Sequence, residues 1–182
     1  MIILIKDIMI FRSKILIWGV SNVGKTTIGK NLAKRLRVKF YDIDDEIIKK
    51  YGSIDLFQKL FPNCYDRFNI KGTIMKDIIK QDNNFIMAVS PIYSPLIIED
   101  ILDTNTSSIE IIDTTDAIYD RLVLDGEYKE KHKNHYIREI RHDQTSSYGL
   151  LKDINKVDIN NQNIENAIEI VYKYLEKNNL IN

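Results

Sequence analysis

The 182-residue sequence has one cysteine, Cys64, and no excess of either charge. One cysteine excludes an internal disulfide and a zinc site built from cysteines, and we expect Cys64 to be a small, half-buried thiol. Lys and Arg together number 26, as do Asp and Glu. This balance gives no sign of a nucleic acid, membrane or acidic partner. We expect a cytoplasmic protein, because scarce cysteine fits a reducing compartment.

The sequence also lacks an apolar run long enough to cross a bilayer. Its first segment, residues 1–11, is apolar but carries Lys6 and Asp7 in its middle and has no small-residue cleavage site, unlike a signal peptide. We interpret this segment as a possible extra N-terminal edge strand or an ordered tail. Internal repeats and a convincing linker are missing as well, so we expect a single domain over residues 1–182, as a monomer or weak homodimer.

Predicted strands and helices alternate along the chain. Strands are predicted at 14–18, 38–42, 85–89, 108–112 and 157–159, and helices at 26–36, 44–51, 54–61, 65–80, 95–102, 114–122, 136–140 and 163–176. The last helix is expected to turn Ile164, Ala167, Ile168, Val171 and Leu175 inward. This alternation, with unbroken apolar strands, indicates an α/β fold whose parallel sheet is covered on both faces.

The clearest motif lies in residues 14–27. A strand ends at Gly19, and Gly-x-x-x-x-Gly-Lys-Thr then opens a helix, which is the phosphate-binding P-loop in its required setting. Gly19 and Gly24 permit a turn whose N–H groups point at one anion, and the helix dipole adds to their effect. Lys25 is predicted to reach the β- and γ-phosphates of ATP, and Thr26 to ligate Mg²⁺. The expected nucleotide contacts are Gly19, Ser21, Asn22, Val23, Gly24, Lys25, Thr26 and Thr27.

Two acids, Asp42 and Asp44, follow at the end of the second predicted strand. In extended backbone this spacing places both carboxylates on one side, facing the ligand crevice. One acid would help to hold Mg²⁺, and the other would accept a proton from an attacking hydroxyl. The alternative is that Asp44 caps the next helix and Asp42 is a solvated strand end. The P-loop one helix earlier favours the functional interpretation.

These motifs together resemble the shikimate kinases. The matching residues are Gly19-x-x-x-x-Gly24-Lys25-Thr26-Thr27-Ile28-Gly29-Lys30-x-Leu32-Ala33-x-x-Leu36, Phe40-Tyr41-Asp42-x-Asp44-x-x-Ile47 and Gly52-Ser53-Ile54-x-Leu56-Phe57. The resemblance implies a three-layer P-loop NTPase fold with a five-stranded parallel sheet and a small lid, here about residues 123–135. It also implies transfer of a phosphoryl group from Mg-ATP to a hydroxyl of a small carboxylic acid.

The resemblance implies a role for each matching polar residue. Thr26 and Asp42 would serve Mg²⁺, and Asp44 would orient or deprotonate the acceptor hydroxyl. Arg121 matches the arginine that lies against the adenine. Arg67 matches an arginine that grips the carboxylate of the acid, although an isolated arginine on an amphipathic helix is ordinarily a solvated surface residue.

The acceptor half departs from the family pattern. Ile70 replaces a glutamate, and Val89-Ser90-Pro91 replaces three glycines that let backbone approach the substrate. Ser90 is nonetheless expected to contact the substrate. Gln144 begins the segment that replaces Arg-x-Pro-Leu-Tyr, and Arg138 or Arg141, within about one helical turn, could substitute for its arginine. Lost arginine–carboxylate contacts typically cost several kcal/mol each, so shikimate binding should be weakened.

The predicted lid contains no arginine. Lys129, Lys131 or Lys133 could supply positive charge to the transferred phosphoryl group, but without the planar fork of a guanidinium. The plainer interpretation of this charged stretch is a mobile, solvated loop. His132 and His135 have a spacing close to that of metal ligands, but no further ligands are nearby.

Three functional hypotheses follow. The first is an ATP-dependent phosphotransferase that phosphorylates a small-molecule hydroxyl, of shikimate or a related hydroxy acid, with Lys25 and Asp44 as catalytic residues. The second is a nucleotide-binding regulatory or interaction module on a degenerate kinase scaffold, favoured by the changed Ser90 and lid positions. The third, a nucleoside-monophosphate kinase, would need lid arginines to clamp a second phosphate.

Overall fold

The computed structural model describes residues 13–92, 94–102, 104–124, 126, 132–151 and 154–181, apart from the side chains of residues 147–149. The possible N-terminal strand at residues 1–11 lies outside the described residues. In the described part, no helix combines the length and apolar character needed to span a bilayer.

A parallel sheet forms the centre of the molecule. The described residues contribute five strands in the order β2-β3-β1-β4-β5. They are β1 (Lys14–Trp18), β2 (Lys39–Asp42), β3 (Phe85–Ala88), β4 (Ser107–Ile112) and β5 (Asn155–Asp158). All four pairings are parallel, which confirms the predicted sheet.

Helices cover both faces of this sheet. They are α1 (Lys25–Leu36), α2 (Ile43–Tyr51), α3 (Ile54–Leu60), α4 (Cys64–Gln81), α5 (Pro95–Leu102), α6 (Thr115–Leu124), α7 (Lys133–Leu150) and α8 (Ile164–Lys177). Because side chains alternate along a strand, Ile15 and Ile17 join a core with α1, α6 and α8, whereas Leu16 and Trp18 join a core with α2 to α5. The three-layer α/β prediction is therefore confirmed.

Most predicted boundaries agree with the structure within one or two residues, but α7 is much longer than predicted. The prediction confined this helix to residues 136–140, whereas it runs from Lys133 to Leu150. It buries Ile137 and Ile140 in the core, and its polar second half continues the same helix. The predicted lid at 123–135 therefore overlaps helical residues at both ends, and residues 125 and 127–131 lie outside the described residues.

Two expectations about single side chains were wrong. Ile164 is 43% exposed, because it is the first residue of α8 after the cap at Asn163 and lies before the inward-facing Ala167. Cys64 is exposed rather than half-buried, because it occupies the first position of α4, where the chain emerges from a surface turn.

The sheet register places the ends of β1, β2 and β3 side by side. Asp42 pairs with Ala88 on β3, and Ala88 pairs with Ile17 on β1. The chain after each of these strands therefore begins at the same edge of the sheet, as expected for a parallel α/β fold. The P-loop, the Asp42–Asp44 segment and Ser90 all follow from this edge.

Candidate functional site

The loop after β1 has the backbone geometry of an anion-binding turn. Asn22 and Gly24 adopt positive φ angles of 57° and 107°, and Gly24 caps the start of α1. Gly19 has φ of 140°, and a Cβ added there would lie 2.6 Å from the carbonyl oxygen of Ile111. A side chain at this position would therefore clash with β4, so the motif glycine is required by packing as well as by conformation.

Lys25 lies under this loop, almost completely buried. Its Nζ donates to the carbonyl oxygen of Val20 at 2.7 Å. Burial lowers the pKa of Lys25 to about 8, opposed by the nearby carboxylates of Asp44 and then Asp42, while Lys71 lowers it further. The ammonium therefore sits in a poorly solvated position beside two acids, where an anionic ligand would favour its charged form.

Thr26 and Asp42 are in direct contact. Thr26 Oγ1 donates to Asp42 Oδ2 at 2.6 Å, and the other carboxylate oxygen accepts from the backbone N–H of Asp44 at 3.0 Å. Asp42 is thus the N-cap of α2, and its side chain is buried, so the alternative of an Asp44 cap and a solvated Asp42 was wrong. Because α2 begins at Ile43, the two acids approach through a helix start rather than along extended backbone.

These residues line one cleft of about 300 Å³ at the sheet edge. Its lining residues are Ser21, Asn22, Lys25, Thr26, Asp42, Asp44, Ala88, Ser90 and Pro91. The predicted phosphate, metal and base positions are therefore neighbours in space. A cleft that combines a cation, a hydroxyl–carboxylate pair and a half-exposed second carboxylate is suited to phosphoryl transfer.

Lys71 of α4 belongs to the same site, although sequence reasoning did not identify it. Its Nζ donates to Ser90 Oγ at 2.7 Å and lies 3.6 Å from Asp44 Oδ1. Burial lowers the pKa of Lys71, opposed first by Asp44. The available signal was its position, one helical turn after Arg67, but the predicted helix did not show which face met the cleft.

Arg67 is half-buried and bound to backbone. Its Nη1 donates to the carbonyl oxygens of Phe61 and Pro62, each at 2.7 Å, in the turn between α3 and α4. It is neither a solvated surface residue nor one of the cleft-lining residues. Its role in gripping a carboxylate remains a prediction.

Arg121 is fixed against the P-loop by hydrogen bonds. Its Nε donates to the carbonyl oxygen of Asn22 at 3.0 Å, and its Nη2 lies 2.8 Å from Asp113 Oδ2. The Asp113 side chain is fully buried and also accepts from the backbone N–H groups of Thr114 and Asn161. The arginine predicted to meet the adenine is therefore held between the P-loop at Asn22 and the carboxylate of Asp113.

Gln144 joins the same network from α7. Its Nε2 donates to the carbonyl oxygen of Asp113 at 2.9 Å, and its Oε1 accepts from Thr115 Oγ1 at 3.0 Å. Arg138 is exposed and lines a separate groove on α7, and Arg141 is also exposed. This placement does not support the expectation that Arg138 takes over the role of the arginine that the family has in the segment replaced from Gln144 onward.

The charged stretch of residues 127–135, which overlaps the start of α7, is described only in part. Lys129 and Lys131 lie outside the described residues, whereas the Lys133 ammonium lies 5.0 Å from the centre of the Tyr119 ring. His135 is paired with Glu139 on the next turn. Over the described ranges, no group of three or more His, Cys, Asp or Glu side chains is arranged to hold a metal ion by itself.

Comparison with known proteins places these features in one family. The family model described as shikimate kinase matches residues 21–178. The shikimate kinase of Clostridium botulinum is 38% identical over 73 residues, which are 40% of this chain and 43% of that protein. The chain thus spans less than half the length of this curated relative.

Solved structures agree in fold. The shikimate kinase from Acinetobacter baumannii in complex with shikimate has a TM-score of 0.76 at 16% identity, covering 92% of this chain and 94% of that chain. The shikimate kinase from Bacteroides thetaiotaomicron has a TM-score of 0.73 at 16% identity, covering 90% and 98%. With a family model that matches most of its length and this shared P-loop fold, the chain belongs to the shikimate kinase family.

Proposed function

We propose that the protein is an ATP-dependent phosphotransferase that moves the γ-phosphoryl group of Mg-ATP to a hydroxyl of a small molecule, shikimate or a related hydroxy acid. The observation that carries this proposal is the cleft in which Lys25, Thr26, Asp42 and Asp44 meet. A nucleotide-binding module without an acceptor would need Lys25, Thr26 and Asp42 but has no evident use for Asp44 at the cleft wall.

The residues at the donor side fit Mg²⁺ and ATP. The Thr26 hydroxyl and the Asp42 carboxylate are hard oxygen donors held 2.6 Å apart, and Mg²⁺ prefers such oxygens. When bound, Mg²⁺ would neutralise part of the negative charge of the nucleotide phosphates. We propose Thr26 and Asp42 as the residues that hold it, with Asp42 fixed in place by its cap on α2.

The P-loop would bind the phosphates of the nucleotide. The turn through Asn22 and Gly24 exposes backbone N–H groups at the start of α1, where the helix dipole favours an anion. Lys25 would exchange its bond with the Val20 carbonyl for the β- and γ-phosphate oxygens. We assign the further nucleotide contacts to Ser21, Val23 and Thr27, and the contact with the adenine to Arg121.

Asp44 would act on the acceptor. Its carboxylate is about half exposed and lines the cleft beside Ser90, so a hydroxyl group entering there can reach it. The acceptor O–H would give its proton to Asp44 while its oxygen forms the new bond to the γ-phosphorus, and the bond to the ADP oxygen would break. Arg67, Ser90 and Asp44 are the proposed acceptor-binding residues.

We further propose that residues 1–182 act as a single kinase domain with its lid near 123–135, in the cytoplasm, as a monomer or weak homodimer. The family match over residues 21–178 supports one continuous domain. The replacement of the expected glycines by Ser90 and Pro91 supports an acceptor that differs from shikimate in shape.

A coupled ADP-release assay tests the proposal. Shikimate and a panel of hydroxy acids and sugars are supplied with Mg-ATP, and we expect ADP release that depends on one acceptor. Lys25→Ala and Asp44→Asn should abolish it. Asp45→Asn is the matched control for Asp44, since Asp45 is exposed and its only described ion pair is with Lys30 at 3.9 Å. Hydrolysis without acceptor dependence, or full activity in Asp44→Asn, would contradict the proposal.

A further inference from the structure

Lys71 connects two elements that reach the cleft separately. It projects from the middle of α4, and its side chain is only 15% exposed. One partner, Asp44, is in the first turn of α2, and the other, Ser90, follows β3. Both Asp44 Oδ1 and Ser90 Oγ lie within 3.6 Å of the same Lys71 nitrogen. A single ammonium group therefore fixes the spacing of two cleft-lining side chains.

The direction of the hydrogen bond between Lys71 and Ser90 determines what Ser90 can do. An ammonium group has donors only, so Ser90 Oγ must accept this bond. The single hydroxyl hydrogen of Ser90 is consequently left to point elsewhere. Ser90 lines the cleft, so this hydrogen is available to an oxygen of a bound molecule. Lys71 thus turns Ser90 into a hydrogen-bond donor for the cleft.

The buried position of Lys71 makes this arrangement rigid. Moving the ammonium away from Asp44 and Ser90 would leave a largely buried charge without compensation, which is costly. Ser90 itself is only 6% exposed, and its Oγ is held by the 2.7 Å bond from Lys71. The carboxylate, the ammonium and the hydroxyl therefore form a preformed unit beside the cleft that Lys25 and Thr26 also line.

We propose that Lys71 is a positioning residue for the phosphoryl acceptor, holding Asp44 and the Ser90 hydroxyl so that they bind two neighbouring oxygens of one small molecule. This inference rests on the proposed function. The oxygen that gives its proton lies at Asp44, and the adjacent oxygen accepts from Ser90. Acceptors of this class carry a hydroxyl next to a second hydroxyl or a carboxylate. Lys71 acts through its two partners and does not itself line the cleft.

Lys71→Met is the test, with Lys76→Met as its matched control. Lys76 is on the same helix, but its ammonium pairs with Asp100 of α5 on the outer surface. ADP release is measured with shikimate and with gluconate as acceptors. Binding of each to the ADP complex is measured by titration calorimetry, and unfolding is followed in parallel. We expect Lys71→Met to raise the acceptor KM and Kd at least tenfold while the KM for ATP stays within about twofold, and Lys71→Arg to recover part of the loss.

A double-mutant cycle with Ser90→Ala separates positioning from simple stabilisation. If Lys71 acts through Ser90, Ser90→Ala should raise the acceptor KM of the unmodified protein. The same substitution made in the Lys71→Met variant should raise the acceptor KM much less. Loss of stability with unchanged acceptor KM and Kd would overturn the proposal, as would equal behaviour of Lys71→Met and Lys76→Met.

The same measurements distinguish failure of this inference from failure of the proposed function. Acceptor-dependent turnover that is insensitive to Lys71→Met leaves the kinase assignment intact and overturns the role of Lys71. If shikimate or gluconate binds but is not phosphorylated, and Lys71→Met weakens that binding, the positioning role of Lys71 is supported and the kinase assignment is contradicted. If neither shikimate nor gluconate binds or is turned over, the inference is overturned, because the preformed unit then receives neither compound.

Discussion

Asp42 receives two hydrogen bonds, one on each carboxylate oxygen: one from the Thr26 hydroxyl and one from the backbone N–H of Asp44. The same carboxylate thereby caps α2 and contacts the helix that begins in the P-loop. The capping bond fixes the backbone of the proposed base, and the Thr26 contact marks the proposed metal position. A change at Asp42 should therefore affect the two functions to different degrees.

Asp42→Asn should separate these roles. Asparagine caps a helix about as well as aspartate, so the free energy of unfolding should change by less than about 1 kcal/mol. The lost carboxylate charge should raise the Mg²⁺ concentration needed for half-maximal ADP release by roughly 10- to 100-fold, by analogy with other altered metal surroundings. Mg²⁺ titrations of the variant and of the Asp45→Asn control measure this. An unchanged Mg²⁺ requirement would remove Asp42 from the proposed metal site.

Lys25 should make nucleotide binding depend on pH. Burial lowers its pKa to about 8, and bound phosphates favour the charged ammonium and raise that pKa. The complex therefore binds more protons than the free protein above pH 8. The affinity for ADP should fall as pH rises through this range, by up to about tenfold per unit, and stay nearly constant below about pH 7. Calorimetric titrations with ADP without Mg²⁺ check this, and Lys25→Ala should remove the dependence.

Arg121→Met should loosen the nucleotide side. It removes the partner of the fully buried Asp113 carboxylate and one contact to the P-loop at Asn22. We expect the free energy of unfolding to fall by about 1–3 kcal/mol and the Kd for ATP to rise about tenfold. Arg138→Met, on the exposed face of α7, is the control. Chemical denaturation and nucleotide titration of both variants measure these effects. If Arg121→Met has the same free energy of unfolding and the same Kd for ATP as Arg138→Met, the Arg121 network contributes little to stability or nucleotide binding.

Gly19→Ala and Gly126→Ala should differ although both glycines have positive φ angles of 140° and 76°. A Cβ at Gly19 would come within 2.6 Å of the Ile111 carbonyl oxygen, whereas no atom of the described residues lies within 4 Å of one at Gly126. Conformational strain alone costs about 1–3 kcal/mol. We expect only that cost at Gly126 and a clearly larger loss of stability, with loss of ATP binding, at Gly19. Equal denaturation midpoints would show that β4 can move away.

Much of the fold was predictable because its determinants are local. The apolar strand 14–18 and the glycine–lysine spacing after it specify β1, the P-loop and α1 without reference to the rest of the chain. The cap of α2 was not determined by this local pattern. Whether Asp42 or Asp44 capped α2 was decided by where the strand ended, and the spacing of the two acids allowed either.

Lys71 shows where sequence reasoning reached its limit. A lysine on an amphipathic helix is usually solvated, and only the packing of α4 against α2 and the end of β3 turns this one toward Asp44 and Ser90. Helix α7 was underestimated for a related reason. The polar segment that begins at Gln144 takes the place of the family's Arg-x-Pro-Leu-Tyr, and its partners Asp113 and Thr115 are distant in sequence.

Trp18, the only tryptophan in the sequence, ends β1 directly before Gly19. It is 2% exposed, donates from its indole nitrogen to Ser108 Oγ, and shares a small apolar pocket with Gly19, Val89 and Pro91. The protein consequently carries an intrinsic fluorophore between the phosphate loop and the segment that leads to Ser90. Its emission would report movement at both ends of the cleft without an added label.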